Sequence, residues 1–80
     1  MNSADRDIVE EIFRSIFDLD RGAAVDAIAR ETQPNWDSMA QVALVSALDD
    51  EFDLVISSDD AAGMTSFARC VAVLGRYLAR

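Results

Sequence analysis

Ile8, Val9, Ile12, Phe13, Ile16 and Phe17 recur at i, i+1, i+4, i+5, i+8 and i+9. That spacing draws one broad apolar stripe down an α-helix and predicts a first helix from Asp5 to about Leu19. Asp5, Asp7, Glu10 and Glu11 crowd its N-terminal half, where carboxylates suit the helix dipole, and Ser3 or Asp5 is placed to cap it. A second clean stripe, Phe67, Val71, Leu74 and Leu78, predicts the last helix, capped by Thr65 or Ser66. Between the two, a helix opening at Ser38 offers Val42, Val45, Ala47, Leu48 and Phe52 as its apolar face and ends near Asp53. Ser38 and Gln41 fit a capping box, S-x-x-Q.

Asp20 to Asn35 reads as a long connection. Gly22 marks a break, Pro34 bars a helix through Gln33, and Val25, Ile28 and Ala29 suit a short helical turn pinned to the core. A loop this long in a small domain tends to be functional or partly mobile. Leu54, Val55 and Ile56 are too few for a sheet and read as a hydrophobic strap across the core. Ser57-Ser58-Asp59-Asp60 caps a very short helix that Gly63 ends. No strand is expected. The fold class is all-α: a small helical bundle of three main helices plus one short helix, with a long first loop, forming a single domain over residues 1–80.

Composition narrows the chemistry. The 80-residue chain has no histidine, one cysteine, and seven basic residues, all arginine. A Ser-His nucleophilic pair, a His-ligated zinc site and a lysine Schiff base are therefore all impossible. One cysteine cannot close an internal disulfide or supply a thiolate cluster. Met1 leads into a polar, acidic start with no secretory pattern, and no apolar run is long enough to span a bilayer. A reduced, cytoplasmic setting is expected, with no resident metal and no membrane span.

Charge is placed unevenly. Eight acids and no base lie between Glu31 and Ala68; after them come Arg69, Arg76 and Arg80 with no acid. A net charge of −8 disfavours nucleic acid, which needs a basic footprint. It favours basic protein surfaces, approached faster at low salt. A merely solubilising face explains the same residues equally well.

Ser38 has two readings. As a helix start it caps free backbone N–H groups, a role worth about 1 kcal/mol. The same position also suits a bound anion, because unpaired N–H groups and the positive dipole end lie beside it. Asp37 would then be a like charge next to that anion.

From Asp37 to Leu78 the chain resembles acyl carrier proteins. The block D-S-M-A-Q-V-A-L-V-S-A-L-D-D-E-F-D matches that family's D-S-L, followed by V, L-V, A-L, an acidic triplet and F. Ile56, Ser58-Asp59-Asp60, Ala61, Met64, Thr65 and the closing helix then fall at the family's spacings. The resemblance covers about half the chain strongly and the first helix loosely. It implies that Ser38 carries 4′-phosphopantetheine, added from coenzyme A by a phosphopantetheinyl transferase. It also implies that the arm's thiol, not Cys70, holds acyl groups as thioesters. The protein itself would then be no enzyme, and the missing histidine costs it nothing. Asp37, Met39 and the helix from Ser38 would form the attachment site. Trp36, Gln41, Asp49, Asp50, Asp59 and Asp60 would meet basic patches on acyl-loading and acyl-processing enzymes (a ligase, acyltransferase or ketosynthase). Candidate linings for a sheltered acyl chain are Val42, Val45, Ser46, Leu48, Phe52, Ile56, Ala61, Met64, Cys70, Val71 and Leu74. Plain core packing is the simpler account of most of them. Met39 and Met64 suit the rim of such a shelter, since a thioether adapts to what it touches.

The chain departs from fatty-acid-synthesis carriers in three places: Trp36 stands where a small residue is usual, and Ala40 and Ala43 stand where acids are usual. A free-standing, monomeric carrier dedicated to a polyketide or other specialised acyl pathway fits these departures better than a housekeeping fatty-acid carrier. Asn35-Trp36-Asp37-Ser38 lacks the G-G-x-S of peptidyl carriers. Trp36 is either an exposed contact hot spot or a lid on the core. Three rival readings compete with this one. An acidic helical interaction module with no prosthetic group explains the composition but not the position of Ser38. A calcium loop over Asp49, Glu51, Asp53 and Asp60 fails, because Leu54 stands where glycine is needed and position 12 lacks glutamate. A Ser38 hydrolase lacks a base.

Overall fold

The computed structural model describes residues 1–79. Four helices and one 3-10 turn succeed one another: α1 (Ser3–Phe17), the turn Val25–Ala27, α2 (Ser38–Phe52), α3 (Ser58–Ala62) and α4 (Phe67–Leu78). The bundle is all-α, as the periodicities predict. Among the described residues there is no strand, only an isolated antiparallel bridge between Ala29 and Ser66. No helix among them is long and apolar enough to cross a membrane.

The helix ends differ from expectation in informative ways. α1 is capped by Asn2, not Ser3 or Asp5. Asn2 is the last extended residue, at φ −93° and ψ 176°, and its Oδ1 accepts from the Asp5 N–H at 2.8 Å. The helix stops at Phe17, short of Leu19, because Asp18 turns into the left-handed region at φ 53°. Asp53 ends α2 the same way at φ 54°. This conformation costs a side-chain-bearing residue roughly 1–2 kcal/mol, and aspartate is one of the few that visits it routinely. Ser57 caps α3 and Ser66 caps α4, each through its hydroxyl.

Phe13 sits at the centre of the core. Its ring meets Phe67 and Trp36 edge-on, with centroids 5.1 and 5.8 Å away, and tilts against Phe17 at 5.6 Å, arrangements that aromatic quadrupoles favour. Val9 and Phe17 join it from α1, and Cys70 and Leu74 from α4. From α2 the buried residues are Leu44 and Leu48. The expected face of α2 is therefore rotated: Val42 points outward at 66 % exposure, while Leu44 is fully buried. Of the expected strap, Ile56 is buried and Leu54 half-buried, but Val55 is 90 % exposed.

The long first loop is tied down at several points. Arg14 donates through Nη1 to the Asp20 carbonyl at 2.7 Å, and Asn35 donates through Nδ2 to the Phe17 carbonyl at 3.1 Å. Val25 is buried, and the Arg30 and Phe67 N–H groups exchange bonds across the bridge with Thr65 and Ile28, both at 2.9 Å. These contacts hold Asn35 and Trp36, and with them the start of α2, against the end of α1.

Candidate functional site

The start of α2 decides what Ser38 is free to do. Asp37 is the cap: it is extended at φ −100° and ψ −172°, and its Oδ1 accepts from the Ala40 N–H at 2.8 Å. Ser38 is already the first helical residue, so the capping box drawn through Ser38 and Gln41 does not form. Both residues are good caps by type, and the position of the last extended residue chooses between them. The Ser38 hydroxyl is exposed and makes no hydrogen bond among the described residues. The N–H groups of Ser38 and Met39 likewise have no acceptor among them, as expected of a helix's first amides. Beside Ser38, Met39 is 82 % exposed.

Gln41 does a different job from either one expected of it. Its Oε1 accepts from Trp36 Nε1–H at 2.6 Å, and its Nε2 donates to the Ala61 and Met64 carbonyls, both at 3.0 Å. One side chain thus joins the residue before the α2 cap to the α3 segment. That commits it internally, away from a docking surface. Trp36 is 4 % exposed and stacks on Phe17 with centroids 4.8 Å apart. It is a lid on the core, not an exposed contact.

The acids divide into two kinds. Asp49 is half-buried and accepts the Ile56 N–H at 3.2 Å, which fixes the turn after α2. Asp60 accepts from Arg76 Nη2 at 2.8 Å and from the Tyr77 hydroxyl at 2.7 Å, and that hydroxyl accepts the Ser57 N–H at 3.0 Å. The Arg76 and Tyr77 bonds hold the Asp60 carboxyl below its ordinary value, and Arg76 is raised in turn, chiefly by the same bond. This network fastens α3, which has no buried residue of its own, to α4. Asp50 and Asp59 are exposed and remain available to a partner.

The candidate acyl lining also splits. Val42, Val45, Ser46 and Ala61 meet Gln41, Ser58 and Ala62 around an open groove of about 330 Å³ between α2 and α3. Ser58 and Ala62 lie outside the expected lining: Ser58 reads in the sequence only as part of the α3 cap, and Ala62 carries no signal. A second groove, of about 380 Å³, is bounded by Ser38, Met39, Val42 and Ala43, so Val42 borders both. Leu48, Met64, Cys70 and Leu74 are fully enclosed, and Ile56 is nearly so. Phe52 and Val71 are half-buried against the same core. These residues are core packing and line neither groove.

No protein-family model, curated protein or solved structure matches the chain. The site must therefore be read from its own chemistry. Cys70 offers none: burial pushes its thiol up to about 12, far from the thiolate that reacts. No group of three or more potential metal ligands occurs among the described residues.

Proposed function

We propose that the protein is an acyl carrier whose Ser38 bears 4′-phosphopantetheine. The observation that carries this reading is the division of labour at the start of α2. Asp37 supplies the cap, so the exposed Ser38 hydroxyl has no structural duty. A serine retained there as a cap would be engaged with the backbone. The surroundings fit the group: an accessible hydroxyl for attachment, two unpartnered N–H groups at a helix N-terminus beside a phosphodiester, and an apolar surface of Met39 and Val42 next to it. When bound, the group supplies a terminal thiol that holds an acyl chain as a thioester.

The chain's own residues then have separable tasks. Asp37 orders the first turn of α2 and, being exposed, lets water screen its charge from a neighbouring phosphate. Val42, Val45 and Ala61 offer an apolar groove beside the attachment point, and Ser46, Ser58 and Gln41 polarise its wall. Asp50 and Asp59 offer docking charges to basic patches on the transferase and on acyl-loading and acyl-processing enzymes. Ala40 and Ala43 leave the first turns of α2 uncharged, and Trp36 is spent on the core. Both features favour a partner set outside housekeeping fatty-acid synthesis, in a specialised acyl pathway in the cytoplasm.

The test is intact-protein mass before and after incubation with coenzyme A and a broad-specificity phosphopantetheinyl transferase. The expected result is a gain of one phosphopantetheine that Ser38→Ala abolishes. No gain in folded protein that was not already modified would refute the reading and leave an acidic interaction module.

A further inference from the structure

A third groove lies on another side of the molecule. Asp7, Ile8, Glu11, Ile12 and Ser15 of α1 face Glu51 near the end of α2 around about 380 Å³. Ile8 and Ile12, one helical turn apart, are only half-buried, so part of the α1 stripe stays open to solvent. Acids frame them. Glu11 is neutralised by Arg21, whose Nη1 lies 2.6 Å from its Oε1, but Asp7 and Glu51 have no ion-pair partner among the described residues. The two bases of α1 are engaged elsewhere: Arg6 is turned toward Glu10 and lies over the Phe67 ring, and Arg14 donates to the Asp20 carbonyl.

We propose that this groove docks a basic amphipathic helix of a partner protein. Such a helix would set an apolar side chain between Ile8 and Ile12 and place arginine or lysine against Asp7 and Glu51. An apolar floor with charges at its rim is the arrangement by which grooves seat amphipathic helices, and the sign of the rim selects a basic occupant. A second copy of this chain is disfavoured, because each copy carries a net charge of −8. An anionic lipid surface or a nucleic acid is repelled for the same reason. At 1.5 Å per residue, Glu51 stands about 20 Å along α2 from Ser38, and at about 100° per residue it faces nearly the opposite side. A partner held here leaves Ser38 uncovered. The proposal holds whether or not Ser38 is modified.

The probe is a synthetic helical peptide of leucine and arginine, about 15 residues long, titrated into the isotope-labelled full chain and followed by amide NMR shifts. The largest shifts are expected at Asp7, Ile8, Glu11, Ile12, Ser15 and Glu51, with Ser38, Met39 and Val42 unmoved. The surface double variant Asp7→Asn, Glu51→Gln should keep the fold and weaken binding about fivefold, as two exposed charge pairs would. Replacing the peptide's arginines with glutamine should weaken it at least as much. Four results would each overturn the proposal: no binding, shifts spread evenly over all acidic surfaces, shifts centred on Asp37 to Val42, or undiminished affinity in the double variant or for the uncharged peptide.

Discussion

Replacing Asp37 and Ser38 in turn by alanine separates a structural residue from a free one. Asp37 holds the Ala40 N–H at 2.8 Å, and losing such a cap costs about 1 kcal/mol. In a domain of this size, 1 kcal/mol moves the thermal midpoint by roughly 4–8 °C. Ser38 gives up no hydrogen bond on truncation, and alanine is a good residue inside a helix. Its variant should therefore melt within about 2 °C of the parent. Asp37→Asn keeps a capping oxygen and should lose little, because asparagine caps as well as aspartate. Circular dichroism melts of the four proteins at one pH and salt provide the comparison. An Asp37→Ala midpoint equal to the parent's, with Ser38→Ala well below it, would refute the cap assignment. The Ser38 hydroxyl would then be the cap and not free for attachment. The same Ser38→Ala sample serves the loading experiment, so a failure to load could not be blamed on a broken helix.

Three further outcomes follow from the polar connections and the enclosed thiol. Gln41→Leu strands the Trp36 N–H and the Met64 carbonyl, while the Ala61 carbonyl keeps the Met64 N–H; the cost is about 2 kcal/mol. Chemical denaturation should show this loss, and an unchanged midpoint would mean that the bridge does not hold. The Asp60 carboxyl titrates below its ordinary 3.8 when folded, so its contribution is complete above that value and disappears as acid protonates the folded form. Tyr77→Phe removes the lesser of the Arg76 and Tyr77 bonds and should flatten part of the acid limb of a melting-temperature profile, whereas identical profiles would mean that the Tyr77 bond does not contribute to it. Cys70, with its thiol pushed up to about 12, should resist thiol reagents at neutral pH until the protein is unfolded; rapid labelling of native protein would contradict its enclosure.

Legibility in the sequence followed amphipathicity. α1 carries one broad continuous stripe and α4 a clean one, and Val9, Phe13, Phe17, Phe67 and Leu74 of these stripes are buried. α2 is apolar on most sides. Met39, Val42, Leu44, Val45 and Leu48 spread around it, so period alone could not choose between Val42 and Leu44 as the inward residue. The choice of cap was ambiguous for a different reason, since Asp37 and Ser38 are adjacent residues of equal capping ability. Trp36 and Gln41 are set by contacts with residues far along the chain, α1 for Trp36 and the α3 segment for Gln41. No local pattern encodes such contacts. Asp49 and Asp60 read as surface charge because their partners, the Ile56 N–H and the Arg76–Tyr77 pair, become neighbours only in the folded chain.

The chain has a single indole, and it lies two residues before Ser38, pressed on Phe17 and tethered to Gln41. All tryptophan emission from this protein therefore originates beside the start of α2, from a ring shielded from water. A loosening of the Asn35–Trp36 corner would bring water to the indole and redden that light, even if the four helices stayed formed. Loading, partner binding or a mutation that disturbs this corner would then register in an ordinary fluorimeter, with no label added.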